Sequence, residues 1–129
     1  MKGYIALISV IVIGAITTGI ATTLLFYGII LSQSGLNYQQ SNQAKAAANA
    51  CAEDALQKIR DDNNYTGTSN LTLTNGETCS AVVTNTGGSN RKIEAQGLQN
   101  DNTRRLQIVI TQVNPKIIIN SWSEVGTYF

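Results

Sequence analysis

The chain has 129 residues, of which only 13% are charged, and a net charge of +1. That length accommodates about one small domain and an appendage. The near-balance of charge gives no electrostatic basis for nucleic acid as a main partner, and the absence of histidine removes the commonest general base and metal ligand. No enzymatic activity, metal or cofactor is expected.

Charge is unevenly placed. Lys2 is the only charged residue before Lys45, and beyond Lys2 the chain carries eight basic and eight acidic side chains. Residues 4–31 form an uncharged run of 28 residues. A cleavable secretory signal has an apolar region of roughly 7–15 residues and a small-x-small cleavage site. Here the run is longer and is followed by Ser32-Gln33-Ser34. As helix it extends about 42 Å, whereas crossing the hydrocarbon core takes about 20 residues. It is therefore expected to span a membrane and to remain in the mature protein. Lys2, as the only flanking charge, predicts a cytoplasmic N-terminus with the rest of the chain outside.

Residues 33–62 are rich in alanine and glutamine and lack proline, a composition that favours helix. From Ala44 the small and apolar residues Ala44, Ala48, Cys51, Ala52, Ala55, Leu56 and Ile59 recur at spacings of three and four, which places them on one face. The opposite face carries Asn49, Glu53, Asp54, Gln57 and Lys58. Gly35 costs about 1 kcal/mol relative to alanine, and a break there would leave two helices. The favoured reading is one helix from about residue 4 to residue 60, ended by the turn-prone Asp61-Asp62-Asn63-Asn64.

The remainder, residues 63–129, alternates and is punctuated by Asn-Gly, Gly-Gly-Ser-Asn, Asn-Asp-Asn and Asn-Pro. This predicts an antiparallel β-meander with strands near 70–74, 78–84, 91–98, 103–113 and 116–123. The fold class is α+β: a long helix whose second half packs its apolar stripe on one face of a small sheet, since neither can bury its apolar side alone. Parity refines the first hairpin. A two-residue Asn75-Gly76 loop opposes Thr72 to Cys79. A three-residue Thr74-Asn75-Gly76 loop opposes Leu71 to Cys79 and puts Gly76 in the left-handed position of a bulge. The second is preferred because it gathers Leu71, Leu73, Cys79, Ala81 and Val83 on one face. It also brings Cys79 toward Cys51, and in an envelope-exposed domain the two are expected to form a disulfide rather than remain buried thiols.

The short basic leader ending in glycine, followed by an aromatic residue and the apolar run, "KGYIALISVIVIGAIT", resembles the type IV pilins and pseudopilins. The resemblance implies cleavage after Gly3 by a prepilin peptidase and N-methylation of Tyr4. It divides the chain into a leader (1–3), a transmembrane and assembly half of the helix (4–32), an amphipathic half (33–62) and a sheet head (63–129). It further implies other pilin-like subunits and the pilus assembly platform as partners, membrane lipid before assembly, and a final place in an extracellular pilus or pseudopilus. Major pilins usually carry glutamate at the fifth mature position, which is Ile8 here, so the closer likeness is to the minor pilins and tip pseudopilins that lack it. Ala15, Gly19 and Thr23 repeat at small-xxx-small spacing, a pattern that permits close helix packing.

Other features are weaker. Arg91-Lys92 and Arg104-Arg105 could bind phosphate, but pairing Ile93 with Ile108 and Ala95 with Leu106 would put them at opposite strand ends. Asn64-Tyr65-Thr66 and Asn70-Leu71-Thr72 match a glycosylation acceptor and are read as turn and strand residues. Trp122 is expected in the core. The alternative function is a single-pass membrane protein with a small extracytoplasmic ligand-binding domain. An envelope enzyme is disfavoured because no Ser, Lys and acid spacing resembles a catalytic motif.

Overall fold

A computed structural model describes residues 2–126, except for the Lys2 side chain. The expected leader and head thus each extend outside the described residues, at Met1 and at 127–129. One helix, α1 (Lys2–Asp61), is followed by five strands: β1 (Gly67–Thr72), β2 (Thr78–Gly87), β3 (Asn90–Gln99), β4 (Asn102–Gln112) and β5 (Ile118–Val125). The helix runs through Gly35 without a break. By compactness the chain divides within the helix, into Met1–Leu36 and Asn37–Phe129.

In the second unit the strands pair antiparallel in sequence order, β1-β2-β3-β4-β5. The first hairpin takes the register of the three-residue loop: Leu71 faces Cys79 and Thr72 faces Thr78. Leu73 N–H donates to the Glu77 carbonyl at 2.8 Å, and Gly76 has φ +80, a conformation that glycine adopts without steric penalty. Ile93 faces Ile108 and Ala95 faces Leu106. β1 begins three residues before its predicted start, because β2 continues to offer ladder partners as far as Val83 opposite Gly67. β5 begins two residues later than predicted, after the loop containing Asn114-Pro115, and ends at Val125.

The core lies between the second half of α1 and the inner face of β2, β3 and β4. The helix contributes Ala44, Ala47, Ala48, Cys51, Ala52, Ala55 and Ile59, and the sheet contributes Cys79, Ala81, Val83, Ile93, Ala95, Leu106, Ile108 and Ile110. Small side chains on the helix allow a close approach, and Gly97 takes it furthest. A Cβ built there would stand 1.9 Å from the Ala44 carbonyl oxygen and 2.5 Å from the Ala48 nitrogen.

One helix is about 10–12 Å across, and strands are spaced about 4.8 Å apart, so it covers little more than the three central strands. That width corrects the expectation for Trp122. It lies opposite Ile108 but on edge strand β5, and it is 42% exposed. The right chemistry on the right face was not enough, because among the described residues the helix reaches this edge strand at Glu124, through the Lys45 side chain, and leaves Trp122 half-exposed.

The Cys51–Cys79 disulfide joins the helix to β2, with Cα atoms 5.9 Å apart. The helix ends where Asp62 N–H donates to Lys58 O and the Asp62 carboxylate accepts from Asn64 N–H, both at 2.9 Å. Lys58 and Arg60 occupy the last turn, where cations complement the helix dipole.

Candidate functional site

Two regions have features beyond packing: the unpacked first unit and the polar clusters of the second. Through residues 4–31 every large apolar side chain is exposed, from Tyr4 to Leu31. The helix is long and apolar enough to cross a membrane. Gly3 and Tyr4 lie in its first turns, and a Cβ at Gly3 would meet open space. Ala15, Gly19 and Thr23 fall on successive turns, again with open space over Gly19.

The serine and threonine hydroxyls of this segment are satisfied locally. Ser9 donates to Ile5 O at 2.8 Å, Thr17 to Ile13 O at 2.5 Å and Thr18 to Gly14 O at 2.7 Å. Thr22 donates to Thr18 O at 3.0 Å, and Thr23 to Gly19 O at 2.6 Å. Each is a bond to the carbonyl one turn back. An unsatisfied hydroxyl in an apolar medium costs several kcal/mol, and none of these five is left in that state. The Thr23 hydroxyl is thus engaged by the backbone of its own helix.

In the second unit, buried Ser69 on β1 lies between two helix side chains. It accepts from Lys58 Nζ at 2.5 Å and donates to Asp54 Oδ2 at 2.7 Å, while Lys58 and Asp54 pair at 2.8 Å. The hydrogen bond from Lys58, then that from Ser69, holds the Asp54 carboxyl below the ordinary range. A second cluster ties the helix to β4 and β5. Glu124 pairs with Lys45 at 3.3 Å and with Arg104 at 2.7 Å, and Arg104 Nε donates to Ser41 Oγ at 2.7 Å. Burial pushes the Glu124 carboxyl up, but the bonds from Lys45 and Arg104 together outweigh it and hold the group below its usual range. Ser41, Arg104 and Glu124 line an open groove of about 530 Å³, in which Arg104 and Glu124 are paired with each other. The arrangement is a clamp between secondary elements, and it carries no nucleophile–base pair.

The basic pairs separate as the strand pairing predicts. Arg91 faces Ile110, while Arg104 faces Gly97 at the other end of β3. Arg91 is buried and donates to the carbonyls of Gly88, Asn90 and Asn63. Lys92, on the outer face, pairs with Glu94. Successive residues of each pair point to opposite faces, so no single cationic patch forms. Among the described residues, no group of carboxylates and cysteines could hold a metal.

Several of these placements were not anticipated from the sequence: Gly97 against the helix, Ser69 between Asp54 and Lys58, buried Arg91, and Glu124 in its clamp. Only Gly97 had a usable local signal. It continues the inward alternation Ile93, Ala95, Gly97, and glycine at an inward strand position marks close backbone approach. No protein-family model matches the chain, and comparison with curated proteins and with solved structures finds no match.

Proposed function

We propose that the chain is a pilin-like structural subunit, a minor one, of a type IV pilus or a type II secretion-like pseudopilus, assembled through its N-terminal helix. The observation that carries this reading is the uncharged segment that starts directly after Gly3. Its large apolar side chains are exposed among the described residues, and it continues unbroken into the helix that the sheet covers. A long apolar surface unsatisfied within its own chain calls for lipid, other helices or both. In this reading the chain is held in the membrane, a prepilin peptidase cuts after Gly3, and Tyr4 is methylated. An assembly platform then passes it into a filament where Ala15, Gly19 and Thr23 pack against neighbours. The disulfide-stapled head is displayed outside the cell.

Ile8 supports a minor rather than a major subunit. A carboxylate at that place, buried among helices, would need a neighbour's charged N-terminus, because an unpaired buried charge is costly. Ile8 supplies packing alone. A second reading, a single-pass membrane protein whose outer domain binds a ligand, is favoured by one observation, the half-exposed Trp122 on β5. The mass of the protein isolated from its native membrane separates the two. Loss of the first three residues with gain of one methyl supports the subunit, and an intact Met1 supports the second reading.

A further inference from the structure

The exposed helix also carries a length signal. Tyr4 and Tyr27 are the only tyrosines of residues 4–31, and both are exposed to whatever surrounds the helix. The 22 residues between them have no charged or amide side chain. The hydroxyls among them are satisfied by backbone carbonyls, as described for Ser9, Thr17, Thr18, Thr22 and Thr23. The segment between the tyrosines thus offers its surroundings only apolar or internally satisfied groups.

At 1.5 Å per residue the two tyrosines stand about 35 Å apart along the helix. At the average transmembrane tilt of about 20° this projects to about 32 Å, close to the hydrocarbon thickness of about 30 Å. The whole run of residues 4–31, about 42 Å long, exceeds that core by about 12 Å and instead matches the bilayer with its headgroups, about 40–45 Å. Tyrosine prefers the boundary between these layers, since its ring is apolar and its hydroxyl seeks water.

We propose that Tyr4 and Tyr27 are interfacial anchors that set the depth of the chain in a lipid bilayer. Residues 5–26 then fill the hydrocarbon core, and residues 28–31 stand in the headgroup layer of the outer leaflet. This rests on the reading above in which the chain is held in a membrane before assembly.

The test uses the full chain carrying Trp122→Phe in phosphatidylcholine vesicles whose acyl chains bear bromine near the headgroup, midway, or near the methyl end. A single reporter is introduced by Ile16→Trp, Tyr27→Trp or Leu31→Trp, each at an exposed site that is not part of the core of the head. Tyr27→Trp keeps an anchoring aromatic residue in place. Its fluorescence should be quenched most by bromine near the headgroup, and that of Ile16→Trp most by bromine near the methyl end. Leu31→Trp should be quenched about twofold less than Tyr27→Trp by any of the lipids. Adding Tyr27→Leu to Leu31→Trp removes the anchor at no polar cost, and quenching of the reporter should rise toward that of Tyr27→Trp. If Tyr27→Trp is quenched most by bromine near the methyl end, or Leu31→Trp as strongly as Tyr27→Trp, the anchors are refuted and membrane storage stands. Absence of quenching at all three positions overturns both the anchors and the membrane step of the proposed function.

Discussion

Gly97→Ala tests how closely helix and sheet approach. Two effects of opposite sign compete. Replacing glycine by alanine where the backbone allows it stabilises by about 0.4–1 kcal/mol, through the unfolded chain, and Gly97 has no positive φ to forbid it. Against this stands the added Cβ, 1.9 Å from the Ala44 carbonyl oxygen and 2.5 Å from the Ala48 nitrogen. Both obstacles are backbone atoms, so no side chain can swing aside. Cβ atoms essentially never approach a neighbour within 3.0 Å, and helix and strand must therefore part by about 1 Å or more. The disulfide resists this movement, because Cys79 is the register partner of Gly97 and its bond holds Cys51, three residues beyond Ala48. Overpacking costs about 1–3 kcal/mol, and the rigid surroundings put this site near the upper value. The net loss is about 2 kcal/mol, or about 10 °C in Tm for a head of this size. Thermal unfolding of the full chain in detergent, followed by Trp122 fluorescence and near-ultraviolet circular dichroism, measures it. The loss should shrink when Cys51→Ala and Cys79→Ala free the helix to lift. A Tm for Gly97→Ala equal to or above that of the parent would show that the helix does not lie on β3 at this distance.

Alkylation of the native protein without reductant should label neither cysteine, and the paired substitutions Cys51→Ala and Cys79→Ala should cost about 3.5 kcal/mol for a 28-residue separation; full labelling of both would exclude the bond. Asp54 and Glu124 ionise below their ordinary range in the folded chain, so their contribution is complete above the unfolded values near pH 4 and is lost as pH falls through the lower folded values. Tm should therefore hold from neutral pH down to about pH 5 and fall in stronger acid, and the combined variant Asp54→Asn, Glu124→Gln should have a shallower acid limb; an unchanged limb would remove both groups from the account. Gly3→Leu should block removal of the leader, read as an unshifted mass, whereas normal maturation of that variant would move the cleavage site elsewhere. Expressed as the sole pilin-like protein in an otherwise complete assembly system, the chain should form no long filaments by electron microscopy; abundant homopolymers would make it a major subunit that dispenses with the glutamate.

The sequence by itself determined what depends on local pattern. Spacings of three and four along Ala44, Ala48, Cys51, Ala55 and Ile59 placed the buried helix face. Parity left two registers for the first hairpin, and the preference for gathering Leu71, Leu73, Cys79, Ala81 and Val83 on one face chose the one observed, with Leu71 opposite Cys79. Helix and strand periods are set by backbone geometry, so these features survive without knowledge of what packs above them. Only the tertiary structure decided how far the cover extends. Trp122 has the inward register and the chemistry of a core residue, yet it is half-exposed because one helix is too narrow to overlie β5. The same holds for polar partners drawn from distant positions. Ser69 meets Asp54 and Lys58, Arg91 meets the Asn63 carbonyl, and Glu124 meets Lys45 and Arg104 only when the folded chain brings separate elements together. No periodicity encodes those meetings, since each depends on the distance between two backbones, and here that distance is set by alanines on one side and Gly97 on the other.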